Sequence, residues 1–120
     1  MAKIITIGLD QSAAFQLACA LGVDRHEIAH KPKLTRIAEI LNADIVFANG
    51  EGKQYLPLLQ EIRGAAPGLP VVVVTRVPET SDWLDALEAG ATDYCSAPFE
   101  PRHLSWLLET AVSAPRTVAA

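Results

Sequence analysis

Three stretches of this sequence hold residue types at spacings that chemistry uses. His26-Glu27-Ile28-Ala29-His30 has the letters of HExxH, in which a helix sets two imidazoles on one face as zinc ligands with a glutamate base beside them. Asn49-Gly50-Glu51-Gly52-Lys53 follows an apolar run, as a phosphate-cradling loop would. Asp10 and Glu51 offer carboxylates to a cation, and Ser96 and Thr75 offer hydroxyls for nucleophilic attack. Context weakens each of them. Pro32 follows the histidine pair, and Gly22 and Asp24 precede it, so the helix that zinc chemistry requires is interrupted on both sides. The remaining histidine, His103, lies in a distant helix. A phosphate loop would need glycine where Phe47 stands and a hydroxyl where Gln54 stands. Two carboxylates are an incomplete cation shell, and the sequence places no histidine or lysine to activate either hydroxyl. The residues therefore predict no catalytic group and no metal ligand, with a small metal hydrolase built on His26, Glu27 and His30 as the weakest alternative.

The bulk composition narrows the class further. The chain has 120 residues, half of them hydrophobic, enough for one domain with a core and too few for two. A net charge of -4 supplies no basic field for a phosphate backbone, so nucleic-acid binding by this chain alone is not expected. Cys19 and Cys95 form no CxxC pair and sit among apolar neighbours, which predicts two reduced, buried thiols. The opening MAKIITIG is too short for a signal peptide or a membrane span, and the expected location is cytoplasmic.

The elements that must position these residues alternate between short β-branched runs and helix-period segments, the pattern of βα units around a parallel sheet. Strands are expected at Ile4–Ile7, weakly at Glu27–Ala29, at Asp44–Ala48, at Leu69–Val74 and near Tyr94 and Cys95. Helices are expected over Ser12–Leu21, with Phe15, Leu17, Ala18 and Leu21 facing the core, and over Leu34–Leu41, where Leu34, Ile37, Ala38 and Leu41 recur at helix spacing. Three more follow: Leu56–Arg63, a segment carrying Trp83, Leu84 and Leu87 that stops at Gly90, and Pro101 to about Val112. Residues 1–113 make the expected domain, and 114–120 read as a frayed tail or the start of a linker. There is no internal repeat.

In a doubly wound sheet the ligand crevice lies beyond the carboxyl ends of the strands. The residues there are Gly8, Leu9 and Asp10, then Asn49, then Thr75, then Ala97. The stretch PVVVVTR, followed by ALEAGATDYCSAPF, resembles the signature of response-regulator receiver domains, and DIVFAN and EIR extend the resemblance over nearly the whole chain. The resemblance implies a CheY-like, flavodoxin-type (βα)5 fold with strand order 2-1-3-4-5 and a role in two-component signal transduction or phosphorelay. Receivers use an acidic pair after the first strand for Mg²⁺, an aspartate after the third to take the phosphoryl group, a Thr or Ser after the fourth, and a lysine after the fifth. Matched residue by residue, the acidic pair falls on Gly8 and Leu9 with Asp10 just beyond, the acceptor on Asn49, and the lysine on Ala97. Of the set only Thr75 is kept. An amide is neutral and a poor nucleophile, so the implied domain is a degenerate pseudo-receiver that binds no Mg²⁺ and forms no aspartyl phosphate. The resemblance also implies a cis peptide before Pro98. The Met-Pro usual after the acceptor is missing, and the segment to Arg63 is about two residues short.

Tyr94 matches the aromatic position that moves with the switch in receivers. Trp83, Trp106 and His103 belong to the last two predicted helices, near the face of the fourth helix, fifth strand and fifth helix that receivers use to dimerise or meet partners. Aromatic residues are enriched in interface cores. The expected function is a non-enzymatic, phosphorylation-independent protein-interaction module acting through a homodimer or protein partner on that face. The alternative is the regulatory part of a transcription or output protein whose effector domain lies outside this chain.

Overall fold

The computed structural model describes residues 3–22, 26–33, 36–50, 55–75, 80–96 and 99–113, with 80–83, 96 and 111–113 described by backbone alone. Five strands, β1 (Lys3–Ile7), β2 (Glu27–Lys31), β3 (Ile45–Asn49), β4 (Val71–Thr75) and β5 (Asp93–Ser96), form one parallel sheet in the order β2-β1-β3-β4-β5. The central strands are apolar along their whole length because helices cover both faces. Ile4, Ile45, Phe47, Val72 and Val74 pack with Leu17 and Leu21 of α1 (Gln11–Leu21) and with Leu104, Leu107 and Leu108 of α4 (Pro101–Ser113). Their strand neighbours Ile5, Ile7, Val46, Ala48, Val71 and Val73 point the other way. They meet Tyr55, Leu59 and Ile62 of α2 (Tyr55–Ala65) and Ala86 of α3 (Thr80–Glu88). The fold and strand order are those the sequence predicts.

Three expectations are corrected. Leu34–Leu41 is not a helix: the described part is a single 3-10 turn, Ile37–Glu39. Its amides step back by three residues, Glu39 to Arg36, Ile40 to Ile37 and Ala43 to Ile40. The Glu39 carboxylate accepts from the Arg36 amide at 2.7 Å and from Lys31 Nζ at 3.0 Å, which ties the turn to β2 and leaves no α-helical ladder to propagate. Phe15 is 71% exposed rather than core-facing. Helix α1 buries Ala13, Leu17 and Leu21 at i+4 spacing, and a residue two positions from Leu17 points about 200° away on a 3.6-residue turn. Cys19 sits two positions on the other side of Leu17 and is exposed for the same reason, whereas Cys95 is buried as predicted.

The remaining elements differ from expectation by a few residues at their ends. Ala97, Pro98, Glu51 and the tail 114–120 lie outside the described residues, as does the side chain of Trp83. The cis-proline expectation and the domain limit at residue 113 therefore lie there too.

Candidate functional site at the carboxyl ends of the strands

Strands β1, β3 and β4 end side by side, which brings Gly8, Asn49 and Thr75 to one edge of the sheet. Gly8 leaves β1 with a φ of 75°, and its amide donates to Lys31 O at 2.8 Å, tying the end of β1 to the end of β2. That left-handed conformation suits glycine, and a Cβ placed there would lie 3.4 Å from the Asn49 Cβ. Leu9 packs against the α1/α4 side of the core. Asp10 caps α1: its Oδ1 accepts from the Ala13 amide at 2.8 Å, satisfying an end donor of the helix. A carboxylate in that position serves the helix.

Asn49 is the last residue of β3, and Gly50 beyond it donates to Val74 O at 2.7 Å. A Cβ on Gly50 would stand 2.6 Å from Val73 Cγ1, so the close crossing of β4 demands glycine. Thr75 closes β4 and is buried. A half-open cleft of about 340 Å³ lies against this edge, lined by Gly8 and Asn49 together with Pro32, Lys33, Tyr55 and Glu61 among others. Its polar groups are an amide, a phenol, one cation and one carboxylate. Nothing in that set is a strong nucleophile at neutral pH, and among the described residues no group of three or more His, Cys, Asp or Glu side chains is arranged to hold a metal ion.

The HExxH letters fall on β2 and the residue before it, so the helical face that would present both imidazoles is missing. His30 turns to the sheet instead, sharing a 2.7 Å hydrogen bond between Nδ1 and Thr6 Oγ1 across the β1/β2 register. The helix on which the metal-hydrolase alternative relied is therefore not formed by these residues.

The other predicted residues gather at the opposite margin of the sheet, where β5 is the edge strand. Tyr94 is half-buried and packs on the α2/α3 side of the core. His103 Nε2 donates to Asp93 Oδ2 at 2.9 Å, and its ring stacks on Trp106 with centroids 6.4 Å apart and planes 22° from parallel. Trp106 is nevertheless 58% exposed, and Leu84 on α3 is 49% exposed. Cys95, on β5, has its thiol pushed up to about 12 by burial and by the neighbouring Asp93 charge, so it is inert as a nucleophile near neutral pH.

Sequence reasoning missed the Asp93–His103 pair and the cleft walls contributed by Lys33 and Glu61. The first joins residues ten apart on a strand and a helix, and the second joins a loop to a helix, so neither has a local spacing that announces it. Placement after strand β2 was the one available signal for Lys33.

The molecule at this point is a receiver-fold α/β domain whose strand-end crevice holds an asparagine and two glycines. Comparison with known proteins agrees: the chain is similar to response-regulator receiver domains in backbone path and in sequence. No family profile matches it. It is 33% identical over 66 residues to the phosphate regulon transcriptional regulatory protein PhoB of Klebsiella pneumoniae, covering 55% of this chain and 28% of PhoB. The chain thus spans little more than a quarter of that relative. A response regulator from Thermotoga maritima superposes with a TM-score of 0.81 at 20% identity, covering 95% of this chain and 99% of that one. The CpaE structure from Burkholderia thailandensis superposes with a TM-score of 0.75 at 26% identity, covering 95% of this chain and 100% of that one. Among the described residues no helix is long and apolar enough to cross a membrane.

Proposed function

We propose that this domain is an atypical receiver that signals through protein contact without being phosphorylated at the strand-end crevice. The observation that carries the reading is the pairing of Asn49 with Gly8 at adjacent strand ends, where receivers place the acceptor and a metal-binding acid. Phosphoryl transfer to a carboxylate needs a nucleophile, a divalent cation and a positive group on the transferring oxygens. Here the nucleophile is an amide, Gly8 and Leu9 have no metal-binding atoms in their side chains, Asp10 is engaged as a helix cap, and the residue matching the lysine is Ala97. Thr75 is left with no phosphoryl group to answer. The partner-contacting surface in this reading is the margin formed by α3, β5 and α4, with Trp106, His103 and Leu84 as its exposed apolar and aromatic groups. These are the helices expected from sequence as the fourth and fifth, renumbered because the second is a 3-10 turn.

The test is incubation of purified protein with radiolabelled acetyl phosphate and Mg²⁺, followed by intact mass and peptide mapping. No label is expected on any carboxylate. Stoichiometric label on Asp10 or another acid, accompanied by a change in assembly, would overturn the proposal.

A second reading is favoured by the PhoB match, which covers only 28% of that transcriptional regulator. In it the domain controls an output domain carried beyond residue 120 or on another chain. Sequencing the reading frame past Ala120 separates the two arrangements: an effector domain in frame supports the second, and an immediate stop codon confines any output to another chain.

A further inference from the structure

We infer that the α3, β5 and α4 margin docks a basic protein segment, and that a second copy of this chain is not its partner. The inference rests on the interaction-module reading above and assigns the chemistry of the partner.

Charge is distributed unevenly along the chain. Residues 80–113 carry Asp82, Asp85, Glu88, Asp93, Glu100 and Glu109 against Arg102 alone, a net charge of -5, and the rest of the chain is then +1 within its total of -4. The fold gathers that segment at one margin of the sheet. β5 is the edge strand, α3 packs over one of its faces and α4 over the other. Glu88, Glu100 and Glu109 are exposed on these elements, as are Trp106 and Leu84.

The exposed Trp106 indole lies beside the His103 imidazole, near-parallel and offset, and offers a large aromatic surface of the kind that anchors binding partners. Asp93 fixes that imidazole from beneath, at 2.9 Å. An exposed aromatic group on a margin with net negative charge fits guanidinium or ammonium side chains, which stack on an indole and pair with carboxylates. Two copies meeting through this surface would set one -5 segment against another. Like-charge juxtaposition of that kind excludes partners. The same charges attract a basic helix or loop and speed its arrival.

The test uses the full chain and two synthetic amphipathic helical peptides, one of arginine and leucine and one with glutamate in place of arginine. Binding is followed by amide chemical shifts and tryptophan emission, with oligomeric state measured by sedimentation. The arginine peptide is expected to shift amides of residues 84–109, the glutamate peptide to have no effect, and the protein to sediment as a monomer. Glu109→Lys should weaken arginine-peptide binding by about tenfold, while Glu27→Lys, on the far edge strand β2, should change it by less than about twofold. Trp106→Ala should abolish the emission change without altering the circular dichroism of the free protein. A dimer dissolved by Trp106→Ala would overturn the inference, because the face would then belong to a second copy. Equal weakening by Glu27→Lys and Glu109→Lys would overturn it as well, since binding would then follow net charge rather than this margin. Acetyl phosphate labelling is a separate measurement, so failure of the phosphorylation-independent reading is distinguishable from either result.

Discussion

The two ends of the parallel sheet are built by opposite means. At the amino end, where receivers carry no chemistry, the backbone is tied down by charged and hydroxyl side chains. Asp44 Oδ2 accepts from the Lys3 amide at 2.8 Å while the Asp44 amide donates back to Lys3 O. Thr92 Oγ1 accepts from the Val71 amide at 3.0 Å, and Arg63 donates to Leu69 O at 2.6 Å and Gly90 O at 2.7 Å, with longer contacts to Ala66 and Pro67. One guanidinium thus gathers the end of α2, the approach to β4 and the end of α3. At the carboxyl end the chain relies more on glycines, Gly8 with its left-handed φ and Gly50 where β4 passes close by, and carries an amide at Asn49.

The largest effect is expected at the amino end. Arg63→Ala would remove the donor that the Leu69, Pro67 and Gly90 carbonyls share, and should cost about 2–3 kcal/mol, the range for hydrogen bonds from a charged, half-buried group. Burial already lowers the pKa of this guanidinium, yet it remains charged throughout the accessible pH range. Urea unfolding with an unchanged m-value measures the loss. A cost below about 0.5 kcal/mol, as for an ordinary surface substitution, would show that this end is not the one holding the fold.

The carboxyl end should answer less strongly, and through sterics. Gly50→Ala places a methyl group 2.6 Å from Val73 Cγ1 and 3.1 Å from Val74 O, contacts that β4 must shift to relieve. An overpacking cost of about 1–2 kcal/mol is expected, with shift changes in Val73, Val74 and Thr75 amides reporting where the strain goes. If Gly50→Ala proved as costly as Arg63→Ala, the contrast between the ends would fail.

This asymmetry also explains how much could be read from sequence. The valine run at 71–74, the helix stop at Gly90 and the short β-branched run of β1 are local signals, and all three produced the right elements. The strand ends were placed closely enough to bring Gly8, Asn49 and Thr75 together before any coordinates. Where competition from outside the segment decides, local spacing misleads. Leu34–Leu41 has a helical period, but Glu39 is drawn to Lys31 and to the Arg36 amide. Phe15 was assigned to the core on hydrophobicity, although the Ala13, Leu17 and Leu21 spacing already fixes the buried stripe one side away. Arg63 was read as a helix terminus, and nothing in its neighbours reveals that it spans 27 residues to Gly90. The cleft was equally invisible, because Lys33 and Glu61 meet only when β2 and α2 are packed.

Asn49→Asp should have the smallest effect, and for that reason it tests the comparison most finely. The substitution restores a carboxylate nucleophile at the end of β3 and nothing else. A phosphoryl donor would still meet Gly8 and Leu9 instead of a metal-binding pair, and Gly8 holds a φ of 75° beside Asn49 that an acidic side chain would occupy under strain. Asp10 Oδ1 is held by the Ala13 amide, and turning that oxygen to Mg²⁺ would cost α1 about 1 kcal/mol. Among the described residues Lys33 is the cation lining the same cleft, and it is the group tested here as a stand-in for the lysine matched by Ala97. Incubation of Asn49→Asp and of Asn49→Asp/Lys33→Ala with acetyl phosphate and Mg²⁺ should leave both unlabelled. Labelling of the first and not the second would show that the crevice recruited its cation from the loop after β2, and that the carboxyl end retained more of the phosphoryl machinery than its residues at the matched positions display.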